Sequence, residues 1–287
     1  MKNLIINADD LGADEGRNAG ILEAVEAGAV KSVSLLVNAP ATGRALEDIR
    51  QGKYESVSIG VHLNLSEGKP VCPDLRLLPG SGGFFRGKAA AQRLFLRENA
   101  LELEEEVSRE VNAQVGALRG KNIPLTHLDG HQHLHVFPAV RKAAIGAARE
   151  YGIPWVRIPH EPLPVSEAGE IPEDLKSEAK LFSGLGGEAA RLWRGAGIRA
   201  ADHFRGLYFK GRLGSPLLEK VLERLPEGVT ELMVHPGRVS QGSGGGPFSG
   251  FSTIDREREL EALLSPSFRR AVLLAGVRLT SFGEVLS

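Results

Sequence analysis

Residues 4–37, LIINADDLGADEGRNAGILEAVEAGAVKSVSLLV, contain the unit that decides the fold. The apolar run LII predicts a buried strand, and the polar stretch 7–14 predicts a turn after it. Apolar residues at helical spacing predict a helix over 16–27, and Gly28 is typical of the residue that follows a helix end. A second strand is predicted at 32–37. This strand–helix–strand order is the repeating unit of parallel sheets.

The same alternation continues through the rest of the chain. Strands are predicted at 57–65, 125–128, 155–158, 230–234 and 277–279, and helices from about 41 and at 101–118, 138–151, 175–193, 217–225 and 256–264. A glycine-rich break is expected at 184–187, inside the predicted helix 175–193. Seven or eight such units without a long linker predict one α/β domain over 1–287, a (β/α) barrel with parallel strands and outer helices. An open doubly wound sheet remains the alternative.

The composition is that of an ordinary globular protein of 287 residues, 42% apolar and 25% charged. The net charge of −1 lacks the basic excess of nucleic-acid-binding proteins. The single cysteine, Cys72, excludes a disulfide framework and a cysteine-based zinc site. The first residues lack a signal-peptide pattern, and no apolar run approaches the roughly 20 residues that span a bilayer. We therefore expect a cytoplasmic protein with neither a nucleic-acid nor a membrane partner.

Acidic, imidazole and guanidinium side chains occur where the predicted strands end. They are Asp9 and Asp10 after the first strand, His62 near the end of the third, His127, Asp129 and His131 from the fourth, Arg157 in the fifth, and His235 after 230–234. The carboxyl ends of parallel strands lie at one face of the sheet. We therefore expect these side chains to converge there, although they are far apart in sequence.

The adjacent pair Asp9 and Asp10 and a histidine cluster carry most of the chemical signal. One aspartate alone would serve as a helix cap, whereas a pair suits a metal ligand beside a general base. Four histidines lie within nine residues: His127, His131, His133 and His135. Histidine and carboxylate are common ligands of borderline metals, but a catalytic site keeps one position open for water. Some of these groups must therefore support the ligands instead of binding the metal.

Five short motifs occur in a fixed order along the chain. They are NADDLG at 7–12, GVHLNL at 60–65, THLDGHQHLH at 126–135, WVRIP at 155–159 and MVHPG at 233–237. Together they resemble the YdjC-like carbohydrate deacetylases, which include the chitooligosaccharide deacetylases. The resemblance implies a (β/α) barrel similar to the metal-dependent polysaccharide deacetylases, with an Asp–His–His metal site. It also implies a homodimer.

Position by position, the resemblance implies that Asp10, His62 and His131 bind one divalent metal ion. It implies that Asp9 is the general base, that Arg157 holds Asp9 charged and oriented, and that His235 is the general acid. The remaining polar residues of the fourth motif are expected to support the ligands or contact the substrate: His127, Asp129, His133 and His135. Zinc suits two histidines and one carboxylate, while magnesium, manganese and cobalt stay open.

The implied reaction is hydrolysis of an N-acetyl group on a sugar or oligosaccharide. The glycine- and proline-rich segments 71–88 and 241–251 are expected at the rim of the site, where phenylalanines would pack on sugar faces: Phe84, Phe85, Phe248 and Phe251. Two alternatives remain. The H-x-H spacing in 131–135 also occurs in metal phosphoesterases and amidohydrolases, which usually place it after the first strand. An inactive sugar- or metal-binding protein would not need Asp9 and His235.

Overall fold

The computed structural model describes residues 1–97, 101–164, 169–239, 247–248 and 254–286. The strands are β1 (Lys2–Leu11), β2 (Ser32–Leu35), β3 (Ser58–Leu63), β4 (Leu125–Gly130), β5 (Trp155–Val156), β6 (His203–Arg205), β7 (Gly228–Val234) and β8 (Val277–Thr280). The helices are α1 (Glu15–Glu26), α2 (Thr42–Arg50), α3 (Lys88–Phe95), α4 (Leu101–Arg119), α5 (Pro138–Glu150), α6 (Glu173–Gly195), α7 (Ser215–Glu223), α8 (Ile254–Leu264) and α9 (Pro266–Leu274). A 3-10 turn, His131–Val136, follows β4 directly.

All strand pairs are parallel, and the order across the sheet is β5-β4-β3-β2-β1-β7-β6. Strand β8 pairs with the first half of β1, where Lys2 lies opposite Val277. A parallel bridge between Trp155 and Arg199 links β5 to the segment just before β6. The sheet thus curls into an incomplete barrel with helices around it, and the prediction of a parallel α/β barrel is confirmed.

Side chains of β1 alternate between two environments. Leu4 and Ile6 point into the main apolar core, which also contains apolar residues of the surrounding helices. Ile5 instead packs with Trp155 and Phe282 in a separate apolar cluster. The next two residues on the same side as Ile5, Asn7 and Asp9, are buried and polar. The barrel interior therefore changes from apolar to polar toward the carboxyl ends of the strands.

Helix α1 shows how local sequence sets the helix ends. The side chain of Asp14 accepts a hydrogen bond from the N–H of Arg17 at 2.8 Å and caps the first turn. Gly28, just beyond the other end, has a φ of +71°, a conformation that glycine adopts without steric cost. Within the described ranges, no helix has both the length and the apolar composition needed to cross a bilayer.

Two local predictions are wrong. The stretch 7–14 does not begin as a turn, because β1 continues to Leu11 and the inward-facing polar side chains find buried partners. The glycines at 184–187 do not break α6, which runs from Glu173 to Gly195. A side chain at Gly186 would place its Cβ 2.9 Å from the carbonyl carbon of Pro159. Glycine at this position therefore permits close packing inside a continuous helix.

Candidate metal and catalytic site

The three predicted metal ligands meet at one point of the strand ends. Asp10 is the second-last residue of β1 and has a φ of +68°, His62 lies near the end of β3, and His131 begins the turn after β4. Asp10 Oδ1 is 2.9 Å from His131 Nδ1 and 3.4 Å from His62 Nε2. One ligand atom from each residue lies within 4.8 Å of the other two. The structure thus brings together side chains that lie 52 to 121 positions apart in sequence.

The donor atoms of this group fit a divalent cation. Asp10 Oδ1 is buried, and no donor is aligned on it for a hydrogen bond among the described residues. Its 3.4 Å separation from His62 Nε2 matches the roughly 3.3 Å between ligands of a tetrahedral site with metal bonds of about 2.0 Å. Two imidazole nitrogens and one carboxylate oxygen suit a borderline metal such as zinc.

Two of the predicted ligands, His62 and Asp10, also contact a charged residue. In each case the contact is made by the side-chain atom that faces away from the candidate metal position. His62 Nδ1 lies 2.7 Å from Asp129 Oδ1, so the Nε2 atom is directed toward Asp10. The second oxygen of Asp10, Oδ2, accepts a hydrogen bond from Arg256 at 2.6 Å. Such outer partners fix ligand orientation and strengthen metal binding. Asp129 thus contacts one predicted ligand, and Arg256, which the sequence did not indicate, contacts another.

The third ligand has an outer partner that sequence reasoning also missed. His131 Nε2 lies 2.7 Å from Glu67 Oε2, on the opposite side of the ring from Asp10. Glu67 is positioned by a turn in which Asn64 Oδ1 accepts the N–H groups of Ser66 and Glu67, each at 3.1 Å. The one available signal was the location of Glu67 just after a strand that carries a ligand.

The pKa values of the three predicted ligands are shifted by the charges of neighbouring side chains. Burial alone raises the pKa of Asp10, but His131 and Arg256 outweigh it and hold that pKa well below the usual value. Burial lowers the pKa of His62, yet the nearby carboxylates, above all Asp129, raise it to about 10. The pKa of His131 is also raised, chiefly by Asp10 against the effect of burial. A metal ion that binds here must displace protons from both imidazoles.

The predicted base, Asp9, forms a two-point contact with a buried arginine. Arg157 donates to both carboxylate oxygens of Asp9, at 2.6 and 2.7 Å, and Asn7 donates to one of them at 2.8 Å. Arg157 also pairs with Asp129 at 2.9 Å and with Glu231 at 2.7 Å. Burial raises the pKa of Asp9, although Arg157 opposes this effect. Asp9 is therefore held in one orientation with an increased affinity for a proton.

A second group with metal-ligand spacing is formed by Asp9, His62 and Asp129. Arg157 donates to Asp9 and lies 2.9 Å from Asp129, so a positive charge already occupies this group. The cluster around Asp10 is the better cation site for that reason.

His235 follows β7 and lines the same cavity as Asp9 and Asp10. Its backbone N–H donates to Glu259 Oε2 at 2.6 Å, and the same oxygen lies 3.9 Å from His235 Nδ1. Burial, followed by the charge of Arg256, lowers the pKa of His235 well below its usual value. Burial raises the pKa of Glu259 to about 7. Glu259, on α8, is a further functional candidate that no sequence motif indicated.

The remaining histidines differ in whether they line the cavity. His127 lies inside the barrel, where it bonds Ser34 and Thr126 and stacks on Phe282 at 4.1 Å between ring centroids. His135 Nε2 bonds the carbonyl of Arg157 at 2.9 Å. Neither ring lines the cavity, so both support the surrounding structure. His133 does line the cavity, whereas His160 and His203 lie outside its wall.

The cavity wall contains only part of the predicted aromatic rim. Phe248 lines it, with its ring centroid 5.5 Å from that of His131. Phe84 and Phe85 lie away from the wall, and Phe84 instead sits under the ammonium group of Lys69. Phe251, like most of the segment 241–251, lies outside the described residues.

The sequence matches the family of YdjC-like proteins over residues 3–273. The chain belongs to the YdjC-like family. This YdjC-like protein is 36% identical to the carbohydrate deacetylase of Mus musculus, with 98% of this chain and 94% of the mouse protein covered. It is 37% identical to the carbohydrate deacetylase of Homo sapiens, with 98% and 90% covered. The predicted family resemblance is thereby confirmed.

A solved structure from Enterococcus faecalis V583, described as a candidate cellobiose-phosphate cleavage protein, has the same fold as this YdjC-like protein. The two superpose with a TM-score of 0.78 at 25% identity, covering 99% of this chain and 98% of the other. An uncharacterised protein from Agrobacterium tumefaciens C58 superposes with a TM-score of 0.51 at 12% identity, covering 100% of this chain and 89% of the other. The second comparison bears on the fold alone.

Proposed function

We propose that this YdjC-like protein hydrolyses the N-acetyl group of an acetylated sugar or oligosaccharide. The observation that carries the proposal is the position of Asp9, held by Arg157, in the same cavity wall as Asp10, His62 and His131. Such a carboxylate beside a metal-ligand set is the arrangement that water activation requires. The names of the mouse and human relatives support a carbohydrate substrate.

Asp10, His62 and His131 would hold one divalent cation. When bound, that cation supplies Lewis acidity to the acetamide carbonyl and increases the acidity of a water molecule. Arg256, Asp129 and Glu67 keep the three donor atoms turned toward each other by binding the atoms that face away. Zinc agrees best with this donor set, and magnesium, manganese and cobalt are tested beside it.

Asp9 acts as the general base that takes a proton from the attacking water. Both oxygens of Asp9 bond Arg157, which fixes the carboxylate plane and stabilises its negative charge. Burial raises the pKa of Asp9 and so increases the affinity of its carboxylate for a proton. Asp9 is thus held in one orientation with an increased basicity.

His235 acts as the general acid that protonates the departing amine of the sugar. Without that proton, expulsion of the amine would be too slow to compete with loss of the attacking water. Burial lowers the pKa of His235 well below its usual value, and negative charge that develops on the reacting group raises the pKa of a neighbouring imidazole. The proton that Asp9 removed from the water then passes to His235 and from it to the amine nitrogen, so that the C–N bond breaks, the amine leaves neutral and Asp9 is ionised again. Glu259 holds the backbone of His235 in place.

Acetate and phosphate release distinguish the reaction classes. Purified protein is incubated with N-acetylated sugars of one to several units, and with phosphorylated sugars that lack an acetyl group, in the presence of each metal in turn. We expect acetate from the acetylated sugars. Phosphate release without acetate would identify a phosphoesterase, and sugar binding without either product would identify a binding protein. A cytoplasmic location, a homodimer and a single domain over 1–287 stay predictions from the sequence.

A further inference from the structure

Gln132 and His133 have a backbone conformation that residues other than glycine seldom adopt. The φ angles of Gln132 and His133 are +54° and +56°, so two successive residues other than glycine lie in the left-handed region. Each such residue carries a steric cost that glycine avoids. The turn places His131 beside Asp10 and puts the ring of His133 in the wall of the same cavity. Strained residues of this kind cluster at sites that bind ligands.

The packing of the His133 ring is mostly aromatic. The side chain meets Phe182 edge to face at 4.8 Å between centroids and Phe204 at 6.1 Å with the planes perpendicular. His133 is only 5% exposed, and its Nδ1 atom is buried without a hydrogen-bond partner among the described residues. By contrast, both ring nitrogens of His127 have partners. A phenylalanine would serve the packing at position 133 better, because it has no polar atom to leave unpaired.

We propose that His133 is a substrate-binding residue that hydrogen-bonds a hydroxyl group of the acetylated sugar. This inference rests on the proposed function and names one contact within it. An imidazole offers one donor and one acceptor, and a sugar hydroxyl offers the same pair. Phe182 and Ala179 on α6 line the cavity next to His133 and present apolar surface that suits the C–H face of a sugar ring. His133 and α6 thus form the two sides of a sugar subsite beside Asp10.

The test is the variant His133→Phe, which keeps a ring in place and removes both nitrogens. We expect its melting temperature to stay within a few degrees of the wild-type value, because removal of the unpaired buried nitrogen offsets the steric cost of phenylalanine in the left-handed region. Metal content stays unchanged, and KM for the acetylated sugar rises about tenfold with kcat changed by less than about threefold, as loss of one hydrogen bond to bound substrate predicts. Unchanged KM and kcat would overturn the inference, and so would loss of bound metal.

Two further variants keep this test decisive. Asparagine adopts the left-handed region readily, but its side chain is shorter than that of histidine. If His133→Phe does not fold, His133→Asn should therefore show the same rise in KM. His203→Phe is the matched control, because His203 is exposed and lies outside the cavity wall. Its kinetic constants should equal those of the wild type. A wild type that releases no acetate contradicts the proposed function itself, whereas an active wild type with unaffected His133 variants contradicts only this inference.

Discussion

Glu67 and His131 are joined on the far side of the candidate metal site: Glu67 Oε2 lies 2.7 Å from His131 Nε2, while Nδ1 of the same ring lies 2.9 Å from Asp10 Oδ1. The imidazole is therefore held between two carboxylates. The one on its outer side fixes the tautomer and increases the basicity of the nitrogen that would bind a metal. Asp129 has the same relation to His62, through a 2.7 Å contact with Nδ1.

The first prediction concerns this outer contact. Glu67→Gln should lower metal affinity by about 10- to 100-fold while the protein stays folded, because an amide supports the imidazole less well than a carboxylate. Competition with a chelating dye measures the affinity. Glu178→Gln is the matched control, since Glu178 lies in the same cavity wall but pairs with Lys88 and Lys210. Equal affinities for Glu67→Gln and wild type would show that the contact has no effect on the metal.

The second prediction separates the base from the ligands. Asp9→Asn should keep its metal and lose at least about 100-fold in the rate of acetate release, because an amide cannot accept the proton. His131→Ala should lose both the metal and the activity. Elemental analysis and acetate assays on the same samples measure the two properties. If Asp9→Asn cleaves acetylated sugars as fast as the wild type, Asp9 is not the base.

The third prediction concerns the interior of the barrel. A Cβ atom at Gly60 in β3 would lie 2.4 Å from the ring of His127, which stacks on Phe282. Gly60→Ala should therefore lower the free energy of unfolding by about 1–3 kcal/mol, the usual cost of an overpacked core. Gly146→Ala is the control, because no atom lies within 4 Å of a Cβ at that position in α5. It should raise stability by about 0.5–1 kcal/mol in the same denaturation experiment.

The fourth prediction concerns pH and Glu161, a buried residue that accepts the N–H groups of Gly206 and Leu207. Burial raises the pKa of Glu161 from 4.5 to about 8. Between these values the folded state keeps a proton that the unfolded state has lost, so this residue reduces stability as pH rises through that window. Glu161→Gln removes the effect.

Denaturation from pH 5 to pH 8 measures this difference. The stability of the wild type should fall relative to Glu161→Gln as pH rises, with a limiting slope of about 1.4 kcal/mol per pH unit. Parallel curves for the two proteins across this range would show that Glu161 titrates normally in the folded state.

The sequence predicted the barrel, and it predicted that the candidate site residues would converge at the strand ends, for identifiable reasons. Apolar runs followed by amphipathic segments mark most strands and helices, and the acidic or imidazole residues at strand ends mark the site. The polar end of β1 was misjudged because Asn7 and Asp9 face a polar barrel interior, which interrupts the apolar pattern without ending the strand. Strand β6 was missed because its three residues are too few to show alternation.

Other features were hidden for different reasons. Helix α9 has a sequence signal, since Ser265 caps its first turn and a proline follows, yet the preceding helix lies too close to separate by periodicity. Glu67, Arg256 and Glu259 resemble ordinary charged residues of loops and helices. Only the folded structure shows that each contacts a predicted site residue. Residues that are distant in sequence but adjacent in the fold leave no local sequence pattern.

Acetate release from N-acetylated oligosaccharides by the purified protein tests the candidate site most directly when it is measured as isolated, after chelation and after each metal is added back. We predict that activity disappears with chelation and returns with one or more divalent metals in the wild type. In Asp9→Asn the metal should rebind without restoring activity. Acetate release that survives complete metal removal, or that returns fully in Asp9→Asn, would contradict the proposed site.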